Sequence, residues 1–137
     1  MLLFDPARAA GLPERRKRGG HLLSKHRFLA AQLEAYLTDD LWLTLARHAN
    51  QMADLLAARL AAAGCAALWP VEANEVFVKF SRGLDRRLKQ AGASYHPWTT
   101  DSLPAGVGPD EMLVRLVTSF ATRAEDVEEF AQIIRRT

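Results

Sequence analysis

Hydrophobic positions recur along this chain with two periods, one long and one short. From His21 to Leu37, Leu22, Leu29, Leu33 and Tyr36 fall close to one stripe at helical spacing, joined by Ala30 and Leu37. Lys25, His26 and Arg27 crowd the first half of that helix, so at least one of them faces whatever the stripe packs on, or a subunit boundary. Thr38-Asp39-Asp40 ends it and offers N-cap acceptors to the next. Leu41 to Ala63 is a longer, alanine-rich helix with Leu45, Ala49, Met52, Leu56 and Leu60 on its buried side, and Gly64 is its natural C′ residue.

Beyond Gly64 the period shortens. Ala66 to Trp69 is expected as a short strand stopped by Pro70. Glu75 to Phe80 is a clear strand, with Val76, Val78 and Phe80 on one face and Phe77 and Lys79 on the other. Arg82 to Ala91 is a short basic helix closed by Gly92. Ala93 to His96 is expected as a strand stopped by Pro97, and Thr99 to Asp110 as a loop. Met112 to Phe120 is a further strand. Thr122-Arg123-Ala124-Glu125 has the form of a capping box, opening a last helix with Val127, Phe130, Ala131 and Ile134 on one face. The order implies an α+β domain: long N-terminal helices, then a small antiparallel sheet covered on one face by helices.

Arg115 interrupts the most apolar strand. A guanidinium stays charged at any ordinary pH, and a buried unpaired charge is very costly. Arg115 therefore snorkels to water, pairs with a carboxylate of this chain, or meets an anion; a planar fork suits a carboxylate or phosphate. Spacing alone does not choose among these.

Composition narrows the field. At 137 residues the chain is one domain's worth of sequence, and 49% hydrophobic with 25% charged is ordinary for a globular protein. A net charge of +2 demands no polyanionic partner. No apolar run approaches the roughly 20 residues a bilayer span needs. Cys65 is the single cysteine, so no internal disulfide forms, and a buried, inert thiol in a reducing, cytoplasmic setting is expected. Met1 to Phe4 starts abruptly, like the tail of a strand whose earlier part is missing, and Asp5-Pro6 breaks it.

The chemistry-bearing residues are few. His21 and His26 are five apart, which puts two ligands on different helix faces, and neither HExxH nor CxxC occurs, so no metal site is expected. Cys65 and Ser24 carry no sequence cue for activation. Arg15, Arg16, Lys17 and Arg18 precede Gly19-Gly20. That run is a solvated basic segment or an anion site in which Gly20 lets backbone N–H groups approach a phosphate. Poor aromatic interleaving and nearly balanced acidic residues argue against nucleic acid as the partner.

Arg15 to Gln32, with Trp69 to Val78, Tyr95 to Trp98 and Val114 to Thr122, resembles the L-threonine aldolases, of the aromatic amino acid β-eliminating lyase/threonine aldolase family. The resemblance implies the C-terminal part of an aspartate-aminotransferase-like, fold-type I enzyme, with residues 1–38 as a remnant of large-domain strand and linking helix and 39–137 as the small domain. It implies pyridoxal 5′-phosphate as electron sink, with the protein supplying orientation, in the cleavage of L-threonine or allo-threonine to glycine and acetaldehyde. It also implies an amino-acid substrate, a homo-oligomer with active sites at a dimer interface, and no membrane partner. In that pattern Arg115 grips the substrate α-carboxylate, and Lys25 reaches a neighbouring subunit's cofactor phosphate. The family's aldimine lysine falls before the segment matching Met1 to Pro6. Of Lys17, Lys25, Lys79 and Lys89 none stands in its context, so no residue here is expected to be catalytic. The expectation is a partial chain, inactive alone or completed by a large-domain chain, with a non-catalytic interaction or regulatory domain as the alternative.

Overall fold

The computed structural model describes residues 6–98 and 106–136. The expected strand at Met1 to Phe4 and most of the expected Thr99 to Asp110 loop lie outside the described residues. The chain divides into two compact units, Met1–Leu41 and Trp42–Thr137.

The first unit is helical: α1 (Pro6–Ala9), α2 (Leu12–Arg18) and α3 (His26–Leu37), followed by a 3₁₀ turn at Thr38–Asp40. The basic run is the last turn of α2, where its charge complements the carbonyl end of the helix. Gly20 (φ 72°) closes that helix: its N–H donates to Lys17 O and the His21 N–H to Arg16 O, at 3.2 and 3.0 Å. This corrects the phosphate-loop alternative, because α3 does not begin until His26. The helix expected from His21 starts five residues late, with Lys25 in left-handed backbone (φ 68°) ahead of it. None of α3 is buried. Asp39 and Asp40 also take positive φ, of 51° and 55°, within the turn that joins α3 to the next helix.

The second unit holds the core. It comprises α4 (Leu41–Ala62), β1 (Glu75–Ser81), α5 (Arg82–Gln90), β2 (His96–Pro97), β3 (Glu111–Val117) and α6 (Ala124–Arg135). The strands form an antiparallel sheet in the order β1-β3-β2. Val76, Val78 and Phe80 of β1 and Val114 and Leu116 of β3 point to one face. There they meet Ala53, Leu56 and Leu60 of α4, Leu84 and Leu88 of α5, and Val127 and Ile134 of α6. The α+β expectation, with helices on one face of a small antiparallel sheet, holds. Gly64 (φ 80°) ends α4 as expected, the Cys65 N–H reaching Leu60 O at 2.8 Å.

Three local expectations fail. Ala66 to Trp69 forms no strand: Ala67 makes a single bridge to Val78, and Pro70 prevents extension. The strand expected at Ala93 to His96 is His96–Pro97, so Pro97 lies inside it. It is tolerated because β2 is an edge with only β3 beside it. The box expected at Thr122 and Glu125 shifts by one residue. Asp126 Oδ2 accepts the Arg123 N–H at 3.2 Å, while Thr122 Oγ1 accepts from Ser119 N at 2.9 Å and shapes the preceding turn.

Candidate functional site

The opposite face of the sheet carries Arg115. Residues directly paired across antiparallel strands share a face. Phe77, Arg115 and His96 therefore form one row across β1, β3 and β2. Arg115 is on this face because Val114 and Leu116 claim the core side. Its side chain is 38% exposed, and its Nη1 lies 3.2 Å from Glu75 Oε1. Its guanidinium carbon sits over the Trp98 ring, 4.7 Å from the centroid. Two of the outcomes posed by the sequence are thus partly realised: the head reaches water and one nitrogen faces a carboxylate, while the Nε and Nη2 donors have no partner among the described residues.

Trp98 is held in place from two sides. Its N–H donates to Leu113 O at 2.8 Å, continuing the edge strand by one rung. Its ring meets Phe77 nearly edge-on (5.4 Å, 79°), and Phe77 meets Trp69 in turn (5.0 Å, 59°). Two residues along β1 from Phe77, Lys79 is already committed. Its ammonium lies 2.9 Å from Gly106 O and 3.2 Å from Glu111 Oε2. Glu111 also accepts the Gly108 N–H at 2.8 Å; that bond first, and Lys79 second, hold its carboxyl below the usual range.

On the helix-covered side, Asp85 accepts from Tyr95 Oη at 3.0 Å and lies 3.1 Å from the Lys89 ammonium. Burial, reinforced by Asp85, pushes the Tyr95 phenol well above its ordinary range. A cavity of about 290 Å³ lies there against Leu116, Thr118 and Phe130, with Tyr95 in its wall. Its lining contains no arginine or lysine. Burial raises the Cys65 thiol pKa, the direction of an inert thiol.

Lys25 belongs to the first unit and Arg115 to the second. Around Lys25, Arg16 Nε donates to His21 O at 3.2 Å and Leu23 N–H to His26 Nε2 at 3.0 Å. Arg15 donates to Ala10 O at 2.9 Å. Lys25 itself is exposed. Sequence reasoning found Arg115 but not the roles of Glu75 and Trp98. The signal for them was strand register: Glu75 is two residues from Phe77 on the same face, and Trp98 follows the His96 that pairs with Arg115.

A small antiparallel sheet, with helices on one face and a guanidinium on the other, defines a two-layer α+β domain. The comparisons make it particular. No family model matches the chain. It is 37% identical over 136 residues to a low specificity L-threonine aldolase of Pseudomonas aeruginosa, and 34% identical over 136 residues to one from a Pseudomonas species. Each alignment covers 98% of this chain and 36% of the relative. A solved threonine aldolase of Leishmania major superposes with a TM-score of 0.74 at 28% identity, over 88% of this chain and 33% of that one. Over nearly its whole length the chain is similar to part of these threonine aldolases. It spans about a third of the length of the relatives it matches.

Proposed function

We propose that this chain supplies the carboxylate-gripping part of a pyridoxal-phosphate-dependent threonine-aldolase-type lyase. The assembled enzyme would cleave L-threonine or allo-threonine to glycine and acetaldehyde. The observation that carries this is Arg115, half-exposed and seated on Trp98, with one nitrogen beside Glu75 and the rest of its fork without a partner among the described residues. A guanidinium in that state accepts an α-carboxylate through two parallel hydrogen bonds. Lys25, exposed and itself in left-handed backbone ahead of α3, is the proposed contact for a cofactor phosphate.

The described residues do not by themselves fit the whole cofactor. Lys79 and Lys89 are each tied to a carboxylate, and by the family resemblance none of the chain's four lysines stands in the context of the aldimine lysine. In this reading Arg115 binds and orients the amino acid, and a large-domain chain supplies the rest of the machinery.

A second reading, a non-catalytic interaction domain, draws on α3. Phe28, Leu29, Leu33, Tyr36 and Leu37 are all exposed on it, a surface suited to a large-domain chain or a second copy.

Incubation of the purified chain with pyridoxal phosphate and L-threonine tests the first reading. We expect no glycine or acetaldehyde and no stoichiometric adduct after borohydride reduction. A reduced adduct at one lysine, in one-to-one ratio, would overturn it.

A further inference from the structure

We infer that Trp98 and Glu75 are positioning residues that fix which edge of the Arg115 fork is offered to a ligand, an inference that rests on the carboxylate-binding role proposed above. A free arginine side chain carries about 2 kcal/mol of rotamer entropy that binding must remove. Here two contacts remove it in advance. Trp98 lies beneath the guanidinium, 4.7 Å from ring centroid to Cζ, and restricts its swing away from the sheet. Glu75 holds Nη1 at 3.2 Å. With Glu75 Oε1 beside Nη1, the edge formed by Nε and Nη2 presents two donors side by side with no partner among the described residues. Two donors side by side are what a carboxylate needs for bidentate pairing.

The support beneath is built, not incidental. Trp98 is fastened by its N–H to Leu113 O and braced by Phe77, which is braced by Trp69. Pro97 fixes its own φ one residue before the tryptophan, which stiffens the approach. The Glu75 contact is solvent-screened, both side chains being 38% exposed, so it steers the fork without neutralising it. A carboxylate ligand can therefore displace none of this and still bind.

The test uses the full chain and nuclear magnetic resonance of the Arg115 Nε–H group, with glycine as probe. In the wild type that proton is shifted by the Trp98 ring current and the Nε–H vector is ordered. Trp98→Leu keeps apolar bulk but loses the π face. It should abolish the shift, lower the order to that of a free surface arginine and weaken glycine binding about fivefold. Trp98→Phe should restore most of both, which a loss of folding would not allow. Glu75→Ala should lower the Nε–H order while keeping the ring-current shift. An unchanged shift and order in Trp98→Leu would overturn the positioning role. Absence of any glycine-dependent change at Arg115 in the wild type would instead sink the carboxylate grip, leaving Trp98 and Glu75 judged on shift and order alone.

Discussion

The two units use the same helical pattern to opposite ends. In the first, α3 presents Phe28, Leu29, Leu33, Tyr36 and Leu37 to solvent and buries nothing. In the second, a comparable stripe on α4 buries Ala49, Ala53, Leu56 and Leu60 against a sheet. An amphipathic stripe states that a helix has a partner face; it does not state that the partner lies within the same chain. The buried core of the described residues therefore lies in the second unit.

Substitutions can break that contrast. Leu60→Ala, at a side chain with 0% exposure, should cost ~2–5 kcal/mol, read as a lower denaturant midpoint at constant slope. A loss below about 0.5 kcal/mol would mean the core is not where the structure puts it. Thr118→Val should cost ~1 kcal/mol, because the Thr118 hydroxyl donates to Ala49 O at 2.7 Å and ties α4 to the end of β3.

Glu111 sharpens the picture through pH. Its folded pKa lies below the ordinary value, so it contributes stability above the unfolded pKa, and that contribution disappears as pH falls through the folded one. The wild type should exceed Glu111→Gln in midpoint near neutrality, and the gap should close below about pH 4. A gap unchanged down to pH 3 would show that the Gly108 and Lys79 contacts do not depend on the carboxylate charge. At the small end, Leu33→Ala on α3 should change stability by no more than about 0.5 kcal/mol. A loss of several kcal/mol would place Leu33 in a core after all.

The fold was legible where burial and local spacing agree. Val76, Val78 and Phe80 alternate because one side of β1 is core, and Gly64 and Gly92 end helices through positive φ. It was not legible where tertiary pairing overrides local cues. Pro97 looks like a strand stop, yet sits in β2 because an edge strand can spare its missing donor. Thr122 looks like a cap, yet Arg123 takes that position while Thr122 shapes the turn. The site shows the same division. Arg115 stands out as one charge in an apolar run. Glu75 and Trp98 gain meaning only when register brings β1 and β2 alongside β3, and sequence separation hides both.

The grip itself is tested most directly by titrating the chain with glycine and, separately, with methylamine, while observing the Arg115 side-chain resonances in the wild type and Arg115→Lys. Glycine should move them saturably and methylamine, which has no carboxylate, should not. Lysine at 115 keeps the charge but not the fork, and should weaken glycine binding about tenfold. Equal responses to glycine and methylamine, or equal glycine affinity in the lysine variant, would contradict a carboxylate grip at Arg115.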